Sequence, residues 1–151
     1  MKNYDKILFV SNGNTATSPM AEAILQNRFR LEDILIESRG LVVLFPEPVN
    51  PKAEAVLVRN GLTMKDHTSR QLTEDDFDPR TLVLAMDSKV KEKMLSSFEK
   101  AQNVFTLGEY VGTAEDVTDP YGGSLGDYGH CYEQLSGLIA LLENKLTEEE
   151  R

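Results

Sequence analysis

The chain has one cysteine, two histidines and no tryptophan among 151 residues. A single cysteine, Cys131, cannot close an internal disulfide, which excludes the disulfide-stapled secreted domains. Basic residues are also in short supply, with 16 Lys and Arg against 25 Asp and Glu and a net charge of −9. That balance argues against nucleic acid and against anionic membrane surfaces as partners. No apolar run approaches the ~20 residues a membrane-spanning helix needs. The opening residues, MKNYDKILFV, lack the apolar stretch and small-residue cleavage site of a signal peptide, so the expected compartment is the cytoplasm. Internal repeats, linkers and low-complexity segments are missing too. The apolar fraction of 40% and charged fraction of 27% are those of an ordinary globular protein. The length predicts one domain, residues 1–151, large enough for a real core.

What is present is an alternation of short apolar runs with amphipathic stretches. Lys6–Val10, Asp33–Ser38, Thr81–Met86 and Asn103–Thr106 read as strands. Met20 to about Leu31 reads as a helix with Ala21, Ile24, Leu25 and Phe29 on one face. Pro46, Pro48 and Pro51 break up any regular element over 41–49. Asn50-Pro51 opens a helix that stops at Asn60-Gly61, and Asp87 caps another. Thr73–Phe77 reads as a short capped turn, 108–126 as a long Gly- and Asp-rich loop, and about 128–145 as the last helix before a frayed EEER tail. Four strands alternating with helices predict a three-layer α/β/α fold around a four-stranded parallel sheet. Ligands of such sheets bind at the carboxyl ends of the strands, where strand order reverses.

The first strand runs into a loop of small residues, Ser11, Asn12, Gly13, Asn14, Thr15, Ala16, Thr17 and Ser18, and then into a helix. Gly13 and Asn14 tolerate left-handed backbone. Successive amides curled in this way, beside a helix start, make a nest for an anion. An ordinary polar βα connection is the plain alternative. The loop is neither GxxxxGK[ST] nor GxGxxG.

FVSNGNTATSPMAEAIL resembles the signature of the low-molecular-weight protein tyrosine phosphatases, a C-x5-R-S loop commonly written CxGNxCRSPMAE. The resemblance extends through His67-Thr-Ser-Arg70-Gln-Leu72-Thr-Glu, Leu84-Ala-Met86-Asp87 and Asp119-Pro120-Tyr121-Gly122-Gly123, and covers nearly the whole chain. Its bacterial branch includes members that hydrolyse protein phosphoarginine. The resemblance implies the family fold and mechanism. In that mechanism a cysteine thiolate attacks phosphorus, the loop arginine grips the phosphoryl oxygens and the loop amides stabilise the transition state. The aspartate before proline protonates the leaving group. No metal and no cofactor are expected.

Three positions depart from that pattern. Ser11 stands at the nucleophile position, Thr17 at the arginine position and Ala16 where many members carry a second cysteine. A serine hydroxyl does not ionise near neutrality without a base beside it. Loss of the arginine removes a fixed charge and a two-pronged grip. Comparable charge stabilisers are worth on the order of 10³–10⁵ in rate. Asp119 stands at the general-acid position, and a simple turn residue is the alternative reading. Tyr121 would wall the pocket mouth, with a half-buried loop aromatic as the alternative.

Cys131 reads as a buried small hydrophobe, His130 as a helix-start or surface residue, and His67 and Arg70 as ties between a loop and the body. Asp75, Asp76 and Asp78 read as a helix start complementing the dipole, not as a metal site. Arg39 either supplies part of the charge Thr17 lacks or is an exposed arginine beside a turn. The expectation is a catalytically disabled relative that binds a phosphate-like anion, a phosphorylated protein or a phosphorylated small molecule. The rivals are an active phosphohydrolase using Asp119 with an altered nucleophile, and a vestigial pocket.

Overall fold

The structure is a computed structural model that describes residues 4–28 and 33–149. Four strands, β1 (Lys6–Ser11), β2 (Leu35–Gly40), β3 (Thr81–Ala85) and β4 (Val104–Thr106), form one parallel sheet in the order β2-β1-β3-β4. The chain thus steps from β1 to one side and then to the other, which makes the carboxyl end of β1 the point where strand order reverses.

Strand alternation decides what lies on each face. Ile7 and Phe9 of β1, Ile36 of β2 and Leu82 and Leu84 of β3 point to one side. There they meet α1 (Thr17–Arg28), α2 (Pro51–Arg59) and α5 (Leu125–Glu149). Leu8 and Val10 with Val83 and Ala85 point to the other side. They meet Val90 and Met94 of α3 (Ser88–Ser97) and Phe77, which follows a 3-10 turn at Glu74–Asp76. All these strand residues are buried, as parallel strands covered on both faces must be. Two helix starts follow from caps that the sequence announces. Asn50 Oδ1 accepts the amides of Lys52 and Ala53, and Asp87 Oδ1 accepts that of Val90.

Several expected boundaries move. β1 includes Ser11, and α1 begins at Thr17, three residues before Met20, so Thr17 and Ser18 lie in its first turn. Phe29 and Leu31 fall outside the described residues. Asn103 precedes β4 in a left-handed conformation, φ 55°. The expected loop from Gly108 to Gly126 begins as a short helix, α4 (Leu107–Tyr110), capped by Thr106 and Glu109 reciprocally. α5 starts at Leu125 and continues through Glu149, well beyond Lys145 and into the expected frayed tail. Its long buried stripe of Leu135, Leu138, Ile139, Leu142 and Leu146 carries the helix past the last strongly amphipathic turn. No helix among the described residues is long and apolar enough to cross a membrane.

Candidate phosphate-binding site

The loop after β1 lies at the switch point, and Asn14 ties it down from behind. Asn14 is completely buried and has φ 60°, the left-handed region that asparagine tolerates better than most side chains. Its Oδ1 accepts the Arg70 amide at 2.9 Å. That acceptor bond fixes the orientation of the side-chain amide, because a backbone N–H only donates. Its Nδ2 therefore donates to Ser18 Oγ at 3.0 Å and to Ser38 Oγ at 2.9 Å. Ser38 in turn donates to Glu22 Oε1 at 2.7 Å. On the backbone side, Asn14 N donates to Ser11 Oγ at 3.1 Å, and His67 Nε2 donates to Asn14 O at 2.7 Å. His67 and Arg70 are thus the ties that their sequence setting suggests.

Gly40 seals the same junction. A Cβ at Gly40 would lie 2.7 Å from Val43 Cγ2 and 3.0 Å from Asn14 Cβ and from the Gly13 carbonyl carbon, so the end of β2 has no room for a side chain beneath the loop.

With its rear bonded, the loop leaves its other donors unused. The amides of Gly13, Thr15, Ala16, Thr17 and Ser18 make no hydrogen bond to any described residue. Residues 11 to 17 line a cavity of about 290 Å³ together with Glu47, Asn50, Asp119 and Tyr121. Ser18 is the one expected loop residue beneath the cavity; it is wholly buried, with Oγ 2.6 Å from Ser11 Oγ. Unpaired amides over a helix start are the elements of an anion nest. The charged side chains of the lining are Glu47 and Asp119, and none of the lining residues is Lys, Arg or His. Glu47 lies in the proline-broken segment, where no periodicity marks it.

Asp119 and Tyr121 reach this cavity from the loop before α5. Asp119 Oδ1 accepts the Tyr121 amide at 3.0 Å, so Asp119 makes the turn and also faces the loop. Tyr121 is 84% exposed, more open than a half-buried wall. Beyond the pair lies a second cavity of about 660 Å³, lined by Glu115, Asp127, His130 and Cys131 among others. Cys131 itself is buried in the core, and burial first, then the Asp119 charge, pushes its thiol up to about 12. Such a thiol is inert at neutral pH.

Neither reading of Arg39 survives. Its side chain is buried, its Nη2 lies 2.7 Å from Glu37 Oε1, its Nη1 donates to the Ser38 carbonyl, and its Nε lies 3.4 Å from Asp76 Oδ1. Arg39 shares a sheet face with Glu37, pointing toward the 3-10 turn and away from Ser38 and the loop. Its charge is balanced locally and is not turned toward the loop. Asp76 likewise has structural duties, accepting the Thr73 amide and facing Arg39.

Glu22 sits behind the nest. Burial pushes its carboxyl above the ordinary glutamate value, against the opposing pull of the Ser38 hydrogen bond and the nearby His67. Sequence marks Glu22 through its motif position; Ser38 carries no signal of its own, because a serine in a strand gives no hint of its partner across the sheet.

The profile of the low molecular weight phosphotyrosine protein phosphatase family matches residues 6–151. The low molecular weight protein-tyrosine-phosphatase PtpB of Staphylococcus haemolyticus is 35% identical over 137 residues, covering 91% of this chain and 96% of that protein. The solved structure of YwlE arginine phosphatase from Geobacillus stearothermophilus superposes with a TM-score of 0.89 at 37% identity, covering 96% of this chain and 94% of that one. A YwlE arginine phosphatase structure of a cysteine-to-serine mutant with a phosphorylated active-site serine superposes with a TM-score of 0.88 at 36% identity, covering 95% and 97%.

Proposed function

This chain belongs to the low molecular weight phosphotyrosine protein phosphatase family, and from that premise we propose that it is a catalytically impaired member whose loop still binds a phosphoryl group. Ser11 occupies the nucleophile position and Thr17 the arginine position. The observation that supports binding is the set of five unpaired amides in a loop tied down by Asn14. The observation that supports impairment is the chemistry of the lining, which offers a hydroxyl for a thiolate and no cation opposite two carboxylates. A thiolate in such a nest is present at neutral pH, whereas a serine alkoxide is not. The ligand is a phosphorylated protein or small molecule, held in the cytoplasm by a chain that folds as one unit.

Asp119 supports a second reading, a slow phosphohydrolase in which Asp119 activates water, because its residue faces the same cavity as Ser11. Two measurements separate the readings. Titration calorimetry with inorganic phosphate is expected to show binding that Asn14→Ala abolishes; a flat titration of the folded native chain contradicts phosphoryl binding and leaves a vestigial pocket. Aryl-phosphate hydrolysis is expected to be the same for the native chain and Asp119→Ala. Native turnover that Asp119→Ala removes would establish the second reading.

A further inference from the structure

We infer that Lys52 is a specificity-determining residue for the phosphate loop: it receives a second anionic group of the ligand, carried past the loop on an apolar body. The inference rests on the proposed binding of a phosphoryl group by the loop and deepens it by naming the class of ligand. That class is a phosphoryl compound with a carboxylate or second phosphate beyond an apolar spacer.

The backbone ties Lys52 to the loop. Asn50 N donates to Thr15 O at 2.8 Å, and Asn50 Oδ1 accepts the Lys52 amide at 2.8 Å. The start of α2 is thus bonded both to the loop and to Lys52 through one residue, which fixes the offset between them. Beside the loop cavity lies a third cavity, of about 340 Å³, lined by Pro51, Lys52, Gly122 and Tyr128. Asn50 and Tyr121 line this cavity and the loop cavity alike, so the two adjoin. Pro51, Tyr121 and Tyr128 give the third cavity a largely apolar wall, suited to a ring or a short carbon chain.

The charge pattern picks what lies at the far end. The charged side chains of the loop cavity are Glu47 and Asp119, and Lys52 is the one cation among the described residues that line either cavity. Its exposed ammonium group donates to the Gly123 carbonyl at 2.6 Å, and no described carboxylate lies within ion-pair distance of it. An ammonium has three N–H groups, so two remain for a ligand. Asp127 is the acid that senses Lys52. Its carboxyl is held below the ordinary aspartate value first by the Ser124 amide and hydroxyl, and only last by His130 and Lys52. Lys52 is therefore left to a partner from outside the chain. A ligand that places its phosphoryl oxygens on the loop amides and its second anion on Lys52 meets both sets of free donors, whereas a cationic far end meets like charge.

The test is titration calorimetry of the full chain at low salt with three phosphonates, which contain no P–O bond to the organic group for a phosphatase step to cleave. They are benzylphosphonates carrying a para-carboxymethyl, para-carbamoylmethyl or para-aminomethyl group. The carboxylate is expected to bind about two- to five-fold tighter than its neutral amide isostere, the range of an exposed ion pair, and the advantage to fade in high salt. The amine should bind weakest. Lys52→Gln, which keeps a donor for the Gly123 carbonyl, should bring the carboxylate-to-amide ratio to one, and Lys52→Arg should preserve it. Paired peptides with glutamate or glutamine beside a phosphonomethyl-phenylalanine reproduce the ratio if a protein presents the anion, and give a ratio of one if the ligand is a small molecule. A probe ratio of one in the native chain overturns the inference, as does an amine that binds tighter than the carboxylate or a ratio unchanged in Lys52→Gln. If inorganic phosphate and the amide bind while the ratio is one, the role of Lys52 fails and the binding proposal stands. If neither phosphate nor any phosphonate binds, both fail.

Discussion

The rear of the phosphate loop and its mouth are built on different terms. At the rear, Asn14, Ser18 and Ser38 are buried and joined by directed hydrogen bonds, with Glu22, His67 and the Arg70 amide closing the network. At the mouth, Asp119 makes one local turn bond and Tyr121 stands open to solvent. A buried polar group left unpaired costs about 1–3 kcal/mol, whereas an exposed side chain costs little to change. The loop's shape therefore depends on the buried rear, and Asp119 and Tyr121 at the mouth carry little of the fold.

The comparison breaks most visibly at Asn14. Asn14→Ala removes three side-chain hydrogen bonds and the preference for left-handed backbone, and is expected to cost about 3–4 kcal/mol. Urea denaturation would read this as a lowered midpoint; a shift comparable to that of a surface substitution would show that the rear does not hold the loop. Gly40→Ala comes next. Its Cβ meets Val43, Asn14 and the Gly13 backbone at 2.7 to 3.0 Å, and overpacking of this kind costs about 1–3 kcal/mol. The loss of phosphate affinity should accompany the loss of stability, since the displaced atoms belong to the loop.

Glu22 sharpens the contrast through pH. Its folded pKa is raised above the ordinary 4.5, chiefly by burial. A raised carboxyl contributes stability that is fully present below about pH 4.5 and is lost as pH climbs through the folded value. Glu22→Gln keeps an acceptor for Ser38 and removes that loss. The variant should gain on the native chain in melting temperature as pH rises to neutral, and the gap should close in acid. A gap that widens in acid would place the Glu22 carboxylate among the stabilising charges instead. The smallest effects belong to the mouth. Tyr121→Ala should leave stability within about 0.5 kcal/mol while changing ligand affinity. Cys131, with its thiol near 12, should resist alkylation in the folded chain and react once it is unfolded; ready labelling of the native chain would contradict its burial.

The sequence made the local features legible and left the distant pairings dark. Strands and caps could be read because each signal lies within a few residues, as at Asn50-Pro51 and Asp87. The loop residues could be read because their types and order resemble a known motif. The helix α4 was hidden by Gly108, its second residue, and by its length of four residues, too short for a period. The early start of α5 was hidden by Gly126 and Gly129 in its first turns. Arg39 misled for another reason. A charged residue near a strand end reads as exposed, and only the fold brings Asp76 to its guanidinium. Glu47 and Ser38 are silent in sequence because Ser69, which bonds Glu47, and Asn14 and Glu22, which bond Ser38, lie 16 or more residues away along the chain.

The central claim is that the nest persists and that two side chains decide whether it cuts. Its most direct test is aryl-phosphate turnover by Ser11→Cys/Thr17→Arg beside the native chain and Asp119→Ala. The account predicts turnover in the repaired variant alone, above the native chain by on the order of 10³–10⁵. A folded repaired variant that stays inactive, or a native chain that turns over and loses that turnover in Asp119→Ala, would contradict it.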